Sequence, residues 1–448
     1  MKKILLFLVA IFTIVINTHG QWVSPGDGTT YTFADLVDIT DGVVTTGENG
    51  FVVNADLTIS TGDVLEINDQ TPRVNLGEVL VTINGSMVCT NANIRTQFYG
   101  LNETQHFSMR FENATGCLLK KMYFSDGAGI KVIESDVTFD DVKFIYFTRG
   151  YSNSVINILN CSPTIKNCSF MLNEGSAIGS PVNGQASPQI LNCDFDTNVN
   201  GINAPQINLG PGSSDTIRIV GNEIYTMYAT WYGGGISIAD LMMAGDTKVL
   251  LKNNIIRECR YGYNQQGYGI SSVIEGNQFI NNNHEENPMN GGSGISIYGY
   301  STDNKVILRN NLITGNLWGI TAIQQHDIDL GTEDDWGYNE IHDNGNGGAI
   351  YDLYNNSTYD ISAVGNKWGT TIYDEIESHI YHQHDDPGLG LVTFYPYVGS
   401  EGIEEIPAEN MLKDNLYYTL EGRCLGAKLP EDYKGFYILN GEKFIRYK

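Results

Sequence analysis

The chain has 448 residues, with 52 acidic and 26 basic side chains and a formal net charge of −26. A chain this acidic repels nucleic acid and anionic membrane surfaces, so neither is an expected partner. Its hydrophobic content of 41% and aromatic content of 11% exclude a disordered polyanion, because such a composition can bury a core.

Residues 1–20 have the layout of a cleavable secretory signal. Two lysines precede an apolar run from Ile4 to Ile16, and a small-residue exit follows at 18–20. We expect the mature chain to begin at Gln21, with 24 basic against 52 acidic residues and a formal charge of −28. The apolar run is short for a membrane span and no second run follows. The sequence therefore predicts a secreted or cell-surface protein without an integral membrane segment, and an uncleaved N-terminal anchor is the alternative.

Residues 21–100 are predicted to form an N-terminal cap and the first coils of the fold. Thr32 to Val37 has the pattern of a short amphipathic helix, and an alternating strand is expected from Phe51 to Ile59. Such caps protect the exposed end of a stacked structure from pairing with other chains.

Internal repeats begin at about residue 160. Each repeat has an apolar stretch, a small or polar residue, an Asn or Cys, one variable residue and a large apolar residue. The Asn or Cys position, here called the first ladder, recurs every 23 to 34 residues at Cys168, Cys193, Asn222, Asn254, Asn277, Asn311, Asn339 and Asn366. The second ladder lies five residues later, at Asn173, Asn198, Met227, Cys259, Asn282, Asn316 and Asn344.

These repeats predict strands of a few residues joined by sharp turns and stacked so that the strands pair in parallel. Asparagine suits the turns, and its stacked amides can hydrogen-bond from coil to coil. Cys168 and Cys193 occupy equivalent positions in adjacent coils, where we expect packed free thiols rather than a disulfide.

The motifs I-x-N-C-x-F and G-N-x-I followed by G-I resemble the right-handed parallel β-helix repeats of the pectate-lyase-like (pectin lyase-like) superfamily. The resemblance implies an all-β solenoid over residues 101–397, with an N-terminal cap and a small C-terminal β-domain. It implies no single activity, because this fold carries lyases, glycosidases, epimerases, adhesins and inert stalks.

The chain after residue 366 divides into a closing segment, a linker and a small domain. The pattern after residue 366 resembles the closing segment of secreted β-helix proteins, so Trp368, His379, His382 and His384 are expected in a cap rather than a site. Residues 398–410 are expected to be a linker. Residues 411–448 resemble the C-terminal sorting domain of type IX secretion, which implies secretion machinery as a partner and delivery to the outer cell surface.

The motifs of known β-helix enzymes are missing. The lyase segment R-x-P-x-x-R is absent, and so are the N-T-D, G-H-G and R-I-K motifs of the galacturonases. The densest acidic group, which could form a calcium or general acid/base loop, is His326, Asp327, Asp329, Glu333, Asp334 and Asp335. A solvated charge run is the alternative. No other cofactor or metal is predicted, and the catalytic residues are unknown.

Loop lengths point to a binding site more clearly than motifs do. The core-facing residues after the second ladder are expected at Ile178, Ile202, Ile236, Tyr263, Ile295, Ile320 and Ile350, and Ile270 could replace Tyr263. Two long loops, Tyr228 to Gly235 and Asn283 to Gly294, then flank one short coil and form a notch wide enough for a sugar ring. The candidate ligand-binding residues are Tyr228, Trp231, Tyr232, Arg260, Tyr261, His284, Glu285 and Trp318. Alternatively, these aromatic side chains pack against the loops and shield the core.

Two classes of function remain at this point. The first is a β-helix that binds a polysaccharide or another surface without catalysis, and the missing motifs favour it. The second is a polysaccharide lyase or glycoside hydrolase of an unrecognised family. The hydrolase needs only two suitably placed carboxylates, and the lyase needs a basic residue beside acidic side chains.

Overall fold

The computed structural model describes residues 20–101, 104–200, 202–227, 232–242, 246–285, 292–346, 349–400, 416–419, 424–430, 435–439 and 442–446. Its strands stack into the all-β parallel β-helix that the repeats predict. Successive coils contribute segments to three sheets, and each segment pairs in parallel with its counterpart in the next coil. The exception is Val44–Gly47 at the N-terminal end, which pairs antiparallel with Gly50–Val53.

Sheet A carries the site described below. Its segments are Trp22–Val23, Leu57–Ile59, Leu80–Ile83, Phe107–Glu112, Gly127–Ile133, Ser154–Leu159, Ser176–Gly179, Pro205–Leu209, Gly234–Asp240, Tyr263–Gly267, the first parts of Ser293–Arg309 and Trp318–Asp329, Leu353–Asn356 and Ile380–Tyr381.

Sheets B and C complete each coil. Sheet B consists of Thr30–Tyr31, Val64–Ile67, Ser86–Cys89, the first parts of Cys117–Ser125 and Val137–Ile145, Thr164–Lys166, Gln189–Leu191, Thr216–Val220, Thr247–Lys252, Ile270–Glu275, the last parts of Ser293–Arg309 and Trp318–Asp329, Ile361–Ser362 and Val392–Thr393. Sheet C consists of Val44–Gly47, Gly50–Val53, Arg73–Leu76, Thr96–Gly100, the last parts of Cys117–Ser125 and Val137–Ile145, Ser169–Met171, Asp194–Asp196, Glu223–Tyr225, Ile255–Arg257, Gln278–Ile280, Leu312–Thr314 and Glu340–His342.

The first ladder is confirmed as a buried column of hydrogen-bonded amides. The Nδ2 groups of Asn222, Asn254, Asn277, Asn311 and Asn339 each donate to the Oδ1 of the asparagine in the next coil over 2.8 to 3.0 Å. The left-handed conformation falls on the residue before the ladder position, as at Asn253, Gly276 and Asn310, with φ of 55°, 65° and 58°. This turn therefore points the ladder amide inward.

The prediction that Cys168 and Cys193 are packed free thiols is also confirmed, because both are buried and neither forms a disulfide. The backbone N–H of Cys168 donates to Cys193 Sγ over 3.4 Å, so the thiol takes the acceptor role of the ladder amide. Burial raises the pKa of Cys168 well above that of an ordinary thiol, which keeps it protonated and unreactive.

The second ladder is confirmed except at one coil. Asn282 donates to Asn316, and Asn316 to Asn344, both over 2.9 Å. Met227 was expected in this column, but its side chain is 60% exposed, and the buried Thr226 takes its place against Cys259. The turn there is one residue shorter, so the fixed offset of five residues fails.

The interior is filled by apolar side chains, one or two from most strand segments, that repeat from coil to coil. In sheet C the rings of Phe144, Phe170 and Phe195 stack with centroids 4.7 and 5.1 Å apart. Ile224 and Ile256 continue this column. Because each coil adds a ring or branched side chain at the same place, the core runs unbroken through the solenoid.

Two of the expected core-facing positions in sheet A are wrong. Ile207 and not Ile202 pairs with Ile178 and Ile236, and Leu353 and not Ile350 pairs with Ile320. Intervening residues lengthen both turns, and Ala349–Ile350 instead forms an antiparallel hairpin with Gly345–Asn346. Tyr263 is confirmed as the core residue of its coil, in register with Ile236 and Ile295, and Ile270 lies in sheet B.

Both ends of the solenoid carry a short helix. The first, Phe33–Ile39, confirms the predicted N-terminal helix and begins with a capping box between Thr32 and Asp35. The expected strand from Phe51 to Ile59 is divided into Gly50–Val53 and Leu57–Ile59. The second helix, Tyr373–Ser378, lies in the closing segment beside the buried Trp368.

The described part of the C-terminal region is an antiparallel sheet of four short strands. These are Tyr417–Tyr418, Cys424–Gly426, Gly435–Leu439 and Glu442–Arg446, of which the last two pair as a hairpin. None of the helices in the described ranges has the length and apolar character that a membrane crossing requires.

Candidate functional site

The outer face of sheet A presents one column of side chains in strict register. Ser237, Asn264, Ser296, Thr321 and Tyr354 each pair with the next along this column. Side chains alternate between the two faces of a strand, so these residues point outward while Tyr263 and its counterparts fill the core. The column gives a polar, hydroxyl- and amide-bearing floor that advances about 4.8 Å per coil.

A cavity of about 560 Å³ opens over this floor. It is lined by Asn203, Arg260, Tyr261, Asn264, Gln266, Ser293, Ser296, Tyr298, Trp318, Thr321, Ile323, Tyr354 and Asn356. We call this cavity the groove. Its lining combines aromatic rings with amide and hydroxyl groups, and the described lining residues include no carboxylate and no imidazole.

Alternating turn lengths create the groove. Three residues lie between Cys259 and Tyr263, and three lie between Asn316 and Ile320, whereas twelve lie between Asn282 and Ile295. The short turns recess their coils between longer neighbours. They also place Arg260, Tyr261 and Trp318 at the start of sheet A, where all three line the groove.

The Tyr261 ring packs against Gly234 of the preceding coil. A Cβ atom on Gly234 would lie 2.3 Å from the Tyr261 Cζ atom, so the ring fits only because this residue has no side chain. Burial raises the pKa of the Tyr261 hydroxyl, which stays protonated at neutral pH. The ring is partly exposed toward the groove.

Trp318 begins a stack of aromatic rings on the outer face of sheet A. Its ring lies on Tyr354 with centroids 4.6 Å apart and planes 10° apart, and Tyr354 lies on Tyr381 with the same spacing at 5°. Only 9% of Trp318 is exposed. Part of its ring surface is therefore used inside the protein, as the shielding alternative expects, although the side chain also lines the groove.

Tyr298 is held in place by polar and aromatic neighbours. Its hydroxyl accepts a hydrogen bond from Gln324 Nε2 over 3.1 Å, and its ring meets Tyr300 edge-on at 5.2 Å. The Tyr300 hydroxyl in turn accepts from Gln266 Nε2 over 2.6 Å. These contacts fix the orientation of a groove-lining ring before any ligand arrives.

Arg260 and Glu285 form an ion pair at the edge of the groove. Arg260 Nη2 lies 3.1 Å from Glu285 Oε2, and their side chains are only 8% and 15% exposed. The neighbouring His284 is half-buried, and its desolvation lowers the pKa of the imidazole. The long loop is thus tied to the short coil, and the charge of Arg260 is balanced locally.

The eight candidate residues have different outcomes. The structure brings Arg260, Tyr261 and Trp318 into the groove lining. It places Glu285 against Arg260, with the half-buried His284 next to Glu285 in the chain, and leaves Tyr232 47% exposed. Tyr228 and Trp231 lie outside the described residues. The outward residues of the strands themselves were not predicted, namely Asn264, Gln266, Ser296, Tyr298, Thr321, Ile323, Tyr354 and Asn356.

The acidic segment from His326 to Asp335 is partly neutralised. Arg309 Nη2 lies 2.7 Å from both Asp329 Oδ2 and Asp335 Oδ2, whereas Asp327, Glu333 and Asp334 are exposed. The guanidinium occupies the position between two carboxylates that a cation would otherwise take. Calcium binding in this segment stays a prediction.

His326 lies inside the protein beside a serine, but it cannot activate that serine. His326 Nε2 and Ser357 Oγ are 2.8 Å apart, and Ser357 donates its proton to Asn355 Oδ1 over 2.7 Å. Asn355 is oriented by donating to Tyr359 O and Gly390 O. The imidazole therefore donates from Nε2 instead of acting as a base, and burial lowers its pKa to about 4.

The closing segment holds a cluster of Glu377, His382 and His384, whose ligand atoms lie within 4.8 Å of one another. His382 Nε2 lies 2.9 Å from Glu377 Oε1, and His382 Nδ1 accepts the backbone N–H of Val392 over 2.9 Å. Burial tends to raise the pKa of Glu377, but hydrogen bonds from both histidines lower it overall. A metal-bound histidine normally donates its second N–H, so an Nδ1 that accepts one opposes metal binding.

His379 faces the buried end of the second ladder. Asn344 donates to Asp352 Oδ1 over 2.9 Å, and Asp352 Oδ2 lies 3.3 Å from His379 Nδ1. Burial raises the pKa of Asp352, whose side chain is fully enclosed. Trp368, His379, His382 and His384, which the sequence assigns to a cap, thus lie in the closing segment around the helix Tyr373–Ser378.

Comparisons with known proteins place the fold but not the activity. A family model described as a protein of unknown function, DUF1565, matches residues 259–372, which include nearly all of the groove lining. Two single mutants and a double mutant of the periplasmic alginate epimerase AlgG are similar solved structures, with TM-scores of 0.52, 0.50 and 0.51 at 11% identity. The matches cover 82% of this chain and 83%, 82% and 81% of those chains. No curated protein matches the chain.

Proposed function

We propose that this protein binds a polysaccharide in the groove on sheet A without catalysing a reaction on it. The observation that carries the proposal is the lining itself, in which tyrosine and tryptophan rings alternate with asparagine, glutamine, serine and threonine side chains along four coils. Aromatic rings take the CH faces of sugars, and amides and hydroxyls give directional hydrogen bonds.

The shape of the groove suits a polymer. The floor extends in register from Asn264 to Tyr354, a rise of three coils or about 14 Å. A chain of sugar rings lying along the solenoid axis would meet the same kinds of side chain at each coil. The similarity to an epimerase of the polysaccharide alginate supports this class of ligand.

The lining does not favour hydrolysis or elimination. Glycoside hydrolysis needs two carboxylates on either side of the scissile bond, and the groove lining offers none among the described residues. Arg260 is the basic side chain in that lining, and its ion pair with Glu285 opposes a role as the catalytic base of an elimination. A polysaccharide lyase, hydrolase or epimerase is the second candidate, because the fold is similar to that of an alginate epimerase.

The direct test is a glycan array with the mature chain, followed by calorimetric titration of each ligand found. Tyr298→Ala should weaken binding at least tenfold, because it removes a preoriented ring from the groove. Tyr338→Ala is the matched control, because this tyrosine is 52% exposed and lies in the turn before sheet C. Equal binding by the Tyr298 variant and the wild type would refute the proposed site.

The same ligands decide between binding and catalysis. After incubation with the protein, they should show no new reducing ends, no unsaturated uronate absorbance and no change of sugar configuration by NMR. Any of these products, formed by the wild type and lost in Tyr298→Ala, would make the protein an enzyme of the second candidate class.

We also propose that the chain is exported and displayed on the cell surface. The apolar run from Ile4 to Ile16 supports export, and the hairpin of Gly435–Leu439 and Glu442–Arg446 supports a sorting role for residues 411–448. Deleting residues 411–448 should leave the β-helix folded but remove it from the surface of the producing cell. Unchanged surface display would contradict the sorting role.

A further inference from the structure

A second recess opens on the outer face of sheet A, nearer to the N-terminus than the groove. It has a volume of about 340 Å³, and its lining includes Lys131, Arg149, Tyr151, Asn153 and Asn157. Lys131 and Asn157 are neighbours in the outward column that leads to the groove. The two recesses therefore lie on the same face of the solenoid.

The recess gathers positive charge in a chain of the opposite sign. Lys131 Nζ lies 3.9 Å above the centre of the Tyr151 ring, a cation–π contact that positions the ammonium group without neutralising it. The exposed guanidinium of Arg149 lines the same space. Neither side chain forms an ion pair with a carboxylate of the described residues, although Asp and Glu outnumber Lys and Arg by 52 to 26.

A third cation lies beside the recess. Arg110 precedes Lys131 in the outward column and pairs with Glu112 over 2.6 Å. Its pKa is raised mainly by the hydrogen bond to Glu112, with a smaller contribution from Tyr151, so the guanidinium also lies near the tyrosine. Because Glu112 balances Arg110, the positive charge of the recess comes from Lys131 and Arg149.

The path from this recess to the groove is continuous. Between Lys131 and Asn264 the outward column consists of Asn157, Gly179, Asn208 and Ser237. These residues are small or polar and carry no charge, and five coil steps separate the two ends by about 24 Å. An extended chain could lie along this path and touch both recesses.

We propose that Lys131, Arg149 and Tyr151 form a subsite for an anionic group, a carboxylate or a sulfate, carried by the polysaccharide that occupies the groove. The inference rests on the proposed function and adds that the ligand is an acidic glycan long enough to span about eight coils. The Arg149 guanidinium can bind a carboxylate or sulfate through two parallel hydrogen bonds, and Lys131 supplies a point charge.

The test measures affinity for polygalacturonate, dextran sulfate and dextran, which carry carboxylate, sulfate and no charge. The double variant Lys131→Gln with Arg149→Gln should bind the acidic polymer at least tenfold more weakly, and its affinity should depend less on salt. Binding to dextran, if present, should not change. The control removes the same charge elsewhere, with Lys143→Gln and Lys305→Gln on sheets C and B, and should alter affinity less than twofold.

The outcomes separate this inference from the proposed function. Loss of binding in Tyr298→Ala, with full affinity for acidic polymers in the Lys131 and Arg149 double variant, would overturn the subsite and leave the groove standing. If neither variant changes binding, both proposals fail. Equal competition by inorganic sulfate or phosphate at millimolar concentration would indicate a site for a free anion, and selective binding of a single-stranded oligonucleotide would indicate a different macromolecule. Either result would overturn the inference.

Discussion

Replacing Asn277 by leucine tests whether the first ladder stabilises the fold. Asn277 is 1% exposed, and its Oδ1 accepts both the backbone N–H and the Nδ2 group of Asn254 over 2.9 Å. Its Nδ2 donates to Leu251 O and to Asn311 Oδ1. Leucine has a similar size but can make none of these contacts, so two buried donors of Asn254 lose an acceptor.

The expected loss follows from these contacts. Each buried donor without a partner destabilises by about 1–3 kcal/mol, so two donors give about 2–6 kcal/mol. Burying the apolar leucine side chain returns up to about 2 kcal/mol. The net loss therefore lies between about 0 and 6 kcal/mol, and we expect Asn277→Leu to lower the free energy of unfolding by about 3 kcal/mol, the middle of this net range.

Urea-induced unfolding, followed by circular dichroism, measures this difference. The matched control is Asn356→Leu, an exposed outward position of sheet A, which should change stability by less than about 0.5 kcal/mol. A second variant, Asn277→Cys, should recover part of the loss, because Cys193 Sγ already accepts a ladder N–H in this protein. Wild-type stability in Asn277→Leu, or no recovery with cysteine, would refute the ladder argument.

Three further predictions concern other parts of the molecule. Burial lowers the pKa of His326 from 6.5 to about 4, so between these pH values the imidazole is protonated in the unfolded chain but not in the native state. Stability should therefore fall by up to about 3 kcal/mol as the pH drops from 6.5 to 4, and this component should disappear in His326→Gln when urea midpoints are compared across pH. Gly234→Ala places a Cβ atom 2.3 Å from the Tyr261 ring, so it should lower the melting temperature and weaken glycan binding, and unchanged values of both would contradict the packing described. Because His382 Nδ1 accepts the N–H of Val392, adding zinc should not raise the melting temperature of the wild type, and a saturable rise would show that the histidine can change its tautomer.

The fold could be predicted because each coil has the same residue type at the same position. A buried asparagine recurs at a fixed place in each coil, and only a stacked column of coils satisfies all of these amides at once. The second-ladder position was wrongly assigned to Met227, where the turn is shorter than in the other coils. A fixed offset of five residues cannot account for an insertion or deletion in the turn.

The groove could be predicted only in part, for a related reason. Arg260, Tyr261 and Trp318 lie on short turns, and turn length is visible once the ladders are aligned. The outward residues of the strands, such as Ser296 and Tyr298, follow no repeating residue type. Their alignment becomes visible only when the core residues of successive coils are correctly paired, and the wrong assignment of Ile350 displaced the last of these coils. Residues one and three positions after each core residue would have identified most of the floor.

The architecture separates what holds the coils together from what a ligand meets. The ladders and the core face inward and repeat, so they set a rise of about 4.8 Å per coil whatever the outward residues are. The outward column is then free to change from Lys131 through Ser237 to Tyr354 without altering the register. A polymer lying on this face meets cationic, then hydroxyl-bearing, then aromatic side chains at fixed intervals. If this face binds a polymer as proposed, its selectivity depends on which outward residue occupies each coil and on which turns are long enough to form walls. Exchanging the outward residues of a few coils should then change the preferred ligand without unfolding the solenoid.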